Sequence, residues 1–270
     1  MKKTLCFMLM GLALAAVAIP WGIDRAYGNG GPVIDPAIGP NPIPTYFANS
    51  PLGVIPPGTA FGVNNDTGTA LAKFIQPLPA FPVAVKDTGA YTGCDYYQLG
   101  VVDYTWRFHP DLPLSKVRGY VDLAPGAATQ AYLGPLILAQ RDTPVRILFK
   151  NQLTLPELFL PVDTTVMGAG KSPVDNVLYS QNRVNVHLHG GNTPWISDGT
   201  PHQWWTPLGT TLNVNRGWSF KSVPDMPAPL EGENTLYYTN QQSGRLMFYY
   251  DHVYGMTRLN VYAGEAAVTC

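Results

Sequence analysis

The chain has 270 residues, only 13% of them charged, and a formal net charge of −1 at pH 7. This sparse and balanced charge excludes a polybasic protein that grips nucleic acid or an anionic membrane surface. The 27 glycines, 26 prolines and 11% of aromatic residues are typical of a turn-rich β-sandwich or barrel.

The first 28 residues have the layout of a secretory signal peptide. Two lysines precede an apolar run from Leu5 to Ile19, and Pro20 then interrupts that run. The run is too short to be a convincing membrane span. The sequence therefore predicts a secreted or periplasmic protein, with residues 1–28 removed and no membrane span in the mature chain.

Residues 29–93 are predicted to form a long Pro/Gly-rich extended arm. Proline lacks a backbone donor and glycine weakens strands, so neither suits the interior of a sheet. Residues 94–270 are predicted to form the folded domain. Cys94 and Cys270 remain once the leader is removed, and export would permit them to form a disulfide.

Short runs of β-branched and aromatic residues predict strands after residue 94. The clearest run is "VRILFKN", where Val145, Ile147 and Phe149 alternate with polar residues. No segment has a sustained helical period, so the sequence predicts an all-β, antiparallel sandwich. Further strands are predicted in "YYQLGVVDYTWRFHP", "AYLGPLILAQ", "RVNVHLHGG", "TLYYTN", "RLMFYYDH" and "RLNVYAG".

Two of the five histidines, His187 and His189, fall in the run "NVHLHGG". Residues two apart on a strand project to the same face, about 7 Å apart along the strand. Imidazole binds copper, zinc, iron and nickel, and this spacing suits two neighbouring ions better than one. Export and the absence of a thiolate cluster favour copper. The alternative is a chance pair of hydrogen-bonded or solvated histidines.

Two longer segments carry a resemblance to a known family. "NVHLHGGNTPWISDGTPHQWWTP", followed by "NQQSGRLMFYYDHVYGMTRLNVYAGEAA", resembles the first cupredoxin domain of the multicopper oxidases, especially the bacterial laccase-like enzymes. The resemblance covers residues 96–267 and implies a cupredoxin-like Greek-key β-sandwich. Members of this family oxidise a reducing substrate at a type 1 copper. Electrons then pass to a trinuclear copper cluster, held by H-x-H histidine pairs, where dioxygen becomes water.

The resemblance implies copper as the cofactor and assigns the candidate ligands of a partial trinuclear site. His187 matches the type 2 copper ligand, His189 a type 3 ligand, and His252 a ligand to the other type 3 copper. Tyr250 departs from the pattern, because the family has "HDH" where this chain has "YDH". A phenol with a pKa of about 10 stays protonated at neutral pH and is a poor substitute for the missing imidazole.

The same resemblance gives roles to residues between the two histidine segments. Asp198 matches the acid that helps to deliver protons to reduced oxygen, which makes it the candidate catalytic residue. Its alternative role is structural, because "SDG" favours a turn. His202 is either a hydrogen-bond donor near the site or a structural histidine. Three tryptophans are expected to pack around the site: Trp195, Trp204 and Trp205.

A type 1 copper site needs a cysteine with two histidines, and neither Cys94 nor Cys270 has a histidine beside it. Nothing matches the family's last domain either. The sequence therefore predicts a fragment of an oxidase, with no turnover by this chain alone. The fragment is a gene fragment, a frameshifted product or one part of a split protein whose missing cupredoxin domains a separate chain would supply. The main alternative is a non-enzymatic exported β-sandwich with loose or no copper binding. A copper nitrite reductase is a weaker third hypothesis, because the blue-copper cysteine site is absent.

Overall fold

The computed structural model describes four ranges of the chain: residues 75–128, 130–173, 176–210 and 214–270. The predicted signal peptide and the predicted arm up to residue 74 lie outside the described residues. The described chain divides into two compact units. One contains residues 75–79 and 107–115, and the other contains residues 80–106 and 116–270. The candidate site and its two sheets belong to the second unit.

The described residues form seven strands: β1 (Asp95–Trp106), β2 (Ser115–Asp122), β3 (Val145–Asn151), β4 (Val186–Leu188), β5 (Glu233–Tyr238), β6 (Met247–Asp251) and β7 (Ala266–Thr269). They form one sheet with the order β2-β1-β3-β5 and a second with the order β4-β6-β7. Three pairs are antiparallel: β3 with β5, β4 with β6, and β6 with β7. However, β1 and β3 run parallel, with Asp95 opposite Val145.

The prediction of a wholly antiparallel sandwich is therefore wrong for the pair β1 and β3. Parallel strands cannot be joined by a tight hairpin, because the chain must first return to the end of the sheet at which the first strand begins. Residues 107–144 separate the two strands and provide that return.

The two sheets enclose one hydrophobic core, which confirms the predicted β-sandwich. In β3 the predicted alternation is found, because Val145, Ile147 and Phe149 are all buried. Burying such a side chain stabilises the fold by about 1.5–3 kcal/mol, so the apolar face of the strand is the face directed toward the core. Both sheets contribute to the core, which includes Leu99, Phe149 and Leu236 from the first sheet and Val186, Leu188 and Tyr249 from the second.

One run predicted as a strand is a helix. The helix α1 (Thr257–Ala263) covers most of "RLNVYAG". Met256, Asn260 and Ala263 are buried at the spacing of one helical face, so this face packs inward. Gly264, with a φ of 122°, ends the helix. Seven residues are too few to distinguish the period of a strand from that of a helix, and the packing of the buried face favours the helix.

The second unit begins at Ala80, ahead of the predicted domain start at residue 94. Ala84 is buried within the core, and a parallel bridge joins Val83 to Leu136. The run "AYLGPLILAQ", predicted as a strand, forms only isolated bridges, at Leu136 and Ile137. Its glycine and proline interrupt the regular pairing of a longer strand.

Cys94 is a free thiol, so the disulfide to Cys270 that export would permit is not formed. The four described ranges contain no helix long and apolar enough to cross a lipid bilayer.

Two ionisable side chains lie at sheet edges: Arg118 on β2, the edge strand of the first sheet, and Glu265 directly before β7, the edge strand of the second. Arg118 and Glu265 are both fully buried. The Arg118 Nε donates to Asp103 at 2.9 Å, but within the described chain neither carboxyl oxygen of Glu265 has a hydrogen-bond partner. Burial, followed by the charge of Asp251, raises the pKa of Glu265 well above its ordinary value of 4.5, although Arg118 opposes the shift.

We expect Glu265→Gln to stabilise the protein more at about pH 8 than at about pH 4.5. A carboxyl whose pKa rises on folding stabilises the fold most below its unfolded pKa, and this contribution is lost as the pH rises through the folded pKa. The neutral amide removes that loss, and each kcal/mol gained raises Tm by about 2–4 °C. Thermal unfolding at both pH values, with the exposed Glu231→Gln as control, checks this. A pH-independent difference would contradict it.

Candidate metal centre

The candidate site lies on the outward face of the second sheet. The antiparallel pairing of β4 with β6 sets His187 opposite Tyr250 and Leu188 opposite Tyr249. Leu188 and Tyr249 are buried in the core, whereas His187 and Tyr250 are partly exposed. Because side chains alternate along a strand, the polar rings share the face that points away from the core.

The structure brings together the three histidines that the sequence singled out. The ring centroid of His187 lies 5.9 Å from that of His189 and 5.1 Å from that of His252. The Tyr250 ring joins them, with its centroid 5.6 Å from that of His187. His187 is therefore the central ring of this cluster. The assignment of the three histidines as metal ligands stays a prediction.

The backbone holds the ring of His187 in one orientation. Its Nδ1 lies 2.5 Å from the main-chain carbonyl oxygen of Asp198. A carbonyl can only accept, so Nδ1 carries the proton of the neutral ring and Nε2 keeps the free lone pair. Metal-bound histidines commonly donate their second ring N–H in this way. His187 is thus arranged to bind a metal through Nε2.

The carboxyl of Asp198 also lies beside this ring. Its Oδ1 is 3.6 Å from the Nδ1 of His187, and the side chain is 40% exposed. Asp198 ends a short 3₁₀ helix, Trp195–Ser197, and Gly199 follows with a φ of 70°. Asp198 therefore has the structural role in a turn that was considered for it, and its position also suits an acid beside the site. The closer contact to His187 comes from the peptide carbonyl.

Asn185, which the sequence pattern did not single out, fixes the loop behind His187. Its buried Nδ2 donates to the carbonyl oxygens of Gly199 at 3.0 Å, Thr200 at 2.7 Å and His252 at 3.3 Å. One amide therefore holds the Asp198 loop against the end of β6. Asn185 directly precedes β4 and is buried, and a buried amide needs partners, but no local pattern in the sequence marks it.

Asp251 is the second such residue, and it locks β4 to the segment after β6. Its buried carboxylate accepts main-chain N–H bonds from Asn185 at 2.9 Å and from Val253 at 3.0 Å. A third bond comes from the Nδ2 of Asn260 at 2.9 Å. Because Asn185 and Val253 each lie within two residues of a candidate ligand, this carboxylate positions both His187 and His252.

Tyr250 is hydrogen-bonded to the outer histidine of the pair. Its hydroxyl lies 2.9 Å from the Nδ1 of His189. Burial raises the pKa of Tyr250 above its ordinary value of 10.0, so the phenol is neutral at neutral pH. Tyr250 therefore contacts the imidazole of His189 directly.

His252 carries a polar atom without a partner. Its Nδ1 is buried, and no residue in the described part of the chain forms a hydrogen bond with it. Burial, followed by the nearby His187, lowers the pKa of His252, so the ring is neutral at neutral pH. A bound ion or an ordered water explains most such orphaned atoms in native proteins. This observation fits an imidazole that belongs to a metal site.

The cluster offers an incomplete set of metal ligands. Two imidazoles that bind one ion at about 2.0 Å have ring centroids about 4.5–6.3 Å apart. The 5.1 Å between His187 and His252 and the 5.9 Å between His187 and His189 both lie within that range, so either pair can meet at one ion or serve two neighbouring ions. Yet among the described residues no three His, Cys, Asp or Glu side chains are grouped so as to hold one metal ion. The two observations agree if further donors come from another domain or chain.

The remaining candidates lie in other surroundings. The His202 ring stacks on that of Trp218, with centroids 5.8 Å apart and planes inclined by 18°, which is the structural role considered for it. Trp204 and Trp205 are buried, whereas Trp195 is 61% exposed. The expectation that these tryptophans pack around the site stays a prediction.

Three laccases are similar to this chain over most of its length. The identity is 34% over 198 residues for the laccase of Bacillus stratosphericus, covering 73% of this chain and 32% of that protein. It is 31% over 194 residues for that of Bacillus subtilis, covering 72% and 32%. It is 32% over 197 residues for that of Haloferax volcanii, covering 72% and 30%. The chain thus spans about a third of the length of the curated relatives it matches.

No protein-family model matches the sequence. Among solved structures, a laccase from Pediococcus acidilactici aligns with a TM-score of 0.46 and 17% identity, covering 72% of this chain and 29% of that one. The relationship rests on the sequence matches. By them, the chain is homologous to multicopper oxidases over about a third of their length. By these matches, the chain belongs to the multicopper oxidase/laccase family.

Proposed function

We propose that this chain is the copper-binding, N-terminal cupredoxin domain of a multicopper oxidase. Such an enzyme couples substrate oxidation to the reduction of dioxygen to water. The observation that carries the proposal is the meeting of His187, His189 and His252 on one outward sheet face, with His187 within 5.9 Å of each of the others. His187 takes the type 2 position, and His189 and His252 take the type 3 positions.

The donors of this face fit copper. Neutral imidazole is a preferred copper ligand, and His187 and His252 are both held next to each other. The Nδ1 of His187 is engaged by a carbonyl, which frees its Nε2, while the Nδ1 of His252 has no partner in the described chain. When bound, copper supplies one-electron redox chemistry. The missing donors come from further cupredoxin domains, on the same or on a separate chain.

Asp198 is proposed as the proton-holding residue of this half-site. Its carboxyl is partly exposed and lies 3.6 Å from the Nδ1 of His187, so it reaches both solvent and the site. We also propose that the protein acts in the periplasm or outside the cell, because its first residues have the layout of a secretory leader.

Copper titration of the full chain tests the proposal. We expect His187→Ala and His252→Ala each to weaken Cu(II) binding at least about tenfold, because each removes an imidazole from an already incomplete set. Isothermal titration calorimetry measures the affinity. The matched control is His202→Ala, which removes a histidine stacked on Trp218, and it is expected to bind copper like the wild type. Equal copper affinity in the wild type and His187→Ala would overturn the proposed site.

A second candidate is a non-enzymatic exported β-sandwich that binds copper loosely or not at all. The absence, within the described ranges, of any three-ligand metal group favours it. The same titration separates the two functions. Saturable binding that depends on His187 supports the oxidase domain, whereas no saturable binding supports the second candidate.

A further inference from the structure

The carboxyl of Glu265 is closed off from water at the corner formed by residues 264–266, between α1 and β7. The side chain is 0% exposed, and neither of its oxygens has a hydrogen-bond partner within the described chain. Gly264 brings the corner against β2, because a Cβ added there would overlap the carbonyl oxygen of Arg118. The backbone of the corner therefore lies directly on β2, and solvating the carboxyl requires the two to separate.

The groups that face Glu265 do not compensate a negative charge on it. Four ionisable side chains interact electrostatically with the carboxyl: Asp251 on β6, Arg118 and Tyr120 on β2, and Asp103 on β1. Among these four only Arg118 is a cation, and its three nitrogens are already hydrogen-bonded to one carboxylate and two main-chain carbonyls. An ionised Glu265 would add a third carboxylate to a group with one arginine, and a buried charge without a partner is costly.

The same corner supports residues behind the candidate site. The N–H of Asp251 donates to the carbonyl oxygen of Glu265 at 3.1 Å, and the N–H of Glu265 donates to the carbonyl oxygen of Asn260 at 3.0 Å. The carboxylate of Asp251 in turn accepts the main-chain N–H groups of Asn185 and Val253. When the corner separates from β2, the bonds at Glu265 are lost, and the backing of Asp251 is lost with them.

We propose that Glu265 is a pH-sensitive switch, which keeps the corner closed on β2 while its carboxyl is protonated and lets the corner open when that proton is lost. The inference does not depend on copper, because it concerns the fold alone. Burial raises the pKa of the closed form well above 4.5, whereas the opened carboxyl is in water and returns to its ordinary pKa. Between these two pKa values opening releases one proton, so the opening constant rises about tenfold per pH unit and then levels off.

Amide hydrogen exchange of the full chain without copper, from about pH 5 to about pH 9, tests this inference. The N–H groups of Asp251 and Glu265 are expected to exchange through a local opening of the corner. Their protection factors are then lower than that of the buried Ile147 in β3. The ratio of the corner's opening constants in the wild type and in Glu265→Gln is expected to rise about tenfold per pH unit. All other titratable groups are the same in both proteins, so this ratio isolates Glu265.

Glu265→Leu is a second variant, because an apolar side chain of similar size fills the corner if the amide of glutamine does not fit. The matched control is Glu231→Gln, the loss of an exposed carboxyl, for which the same ratio is expected to stay independent of pH. A constant ratio in both Glu265 variants would overturn the inference, because the released proton would not belong to Glu265. Equal protection of the corner and of Ile147 at every pH would also overturn it, because the corner would then open only on global unfolding.

Discussion

Gly199→Ala is expected to destabilise the protein by about 2–5 kcal/mol and to weaken copper binding as well. Gly199 has a φ of 70°, which costs a non-glycine residue about 1–3 kcal/mol. A Cβ there would lie 2.0 Å from the carbonyl oxygen of Val186 and 2.9 Å from the Cα of His187. Both are backbone atoms, so no side chain can move aside, and the loop must retreat from β4.

That retreat would carry the carbonyl of Asp198 away from His187, because Asp198 directly precedes the glycine. Urea denaturation measures the stability. Copper titration measures the loss of affinity that is expected when the ring of His187 loses its orientation. The matched control is Gly190→Ala. Gly190 has a similar φ of 81°, but an added Cβ meets no atom within 4 Å. It is expected to cost only the backbone strain and to keep the site intact. Equal losses for both variants would show that the close approach is unimportant.

Asp251→Ala is expected to cost about 3–5 kcal/mol of unfolding free energy. The change leaves two buried main-chain donors without an acceptor, the N–H groups of Asn185 and Val253. It also removes one of the two hydrogen bonds of the Asn260 Nδ2, whose other acceptor is the carbonyl of Arg183 at 3.3 Å. Each unsatisfied buried donor costs about 1–3 kcal/mol, and the small alanine provides no replacement. Against a typical stability of about 5–15 kcal/mol, this loss is a large fraction of the free energy of unfolding.

Asp225→Ala is the matched control for the loss of a carboxylate. Asp225 is also paired, with Arg146 at 2.5 Å, but its side chain is 66% exposed. Solvent screens this pair, so its removal is expected to cost less than about 1 kcal/mol. Denaturant unfolding of both variants against the wild type provides the comparison. A cost for Asp251→Ala no greater than that for Asp225→Ala would contradict the role given to the buried carboxylate.

Local pattern was sufficient where one period dominates a run. Val145, Ile147 and Phe149 alternate without interruption, and β3 has the predicted bounds and buried face. The H-x-H spacing likewise placed His187 and His189 on one face, because the period of a strand is two. The strand predicted for "RLNVYAG" is wrong because no single period dominates this run. Seven residues fit a strand and a helix equally well, and the packing of the segment favours the helix.

The supports of the site could not be read from the sequence. The bond from the N–H of Asn185 to Asp251 joins residues 66 positions apart, and that from Asn185 Nδ2 to His252 joins residues 67 positions apart. No local pattern carries such a contact, because it depends on how β4 and β6 pair. The same holds for the parallel pairing of β1 and β3, which a strand's own residues do not encode.

The contact between His187 and Asp198 is made by the peptide group, and this has an evolutionary consequence. Every amino acid supplies that carbonyl, so substitutions at position 198 leave the tilt of the imidazole intact as long as the loop keeps its path. The carboxyl can therefore be varied or lost by drift, selection or engineering while the carbonyl that holds the imidazole stays in place. At this one residue the side chain supplies the acidity and the peptide carbonyl aligns the imidazole, so the two properties can change independently.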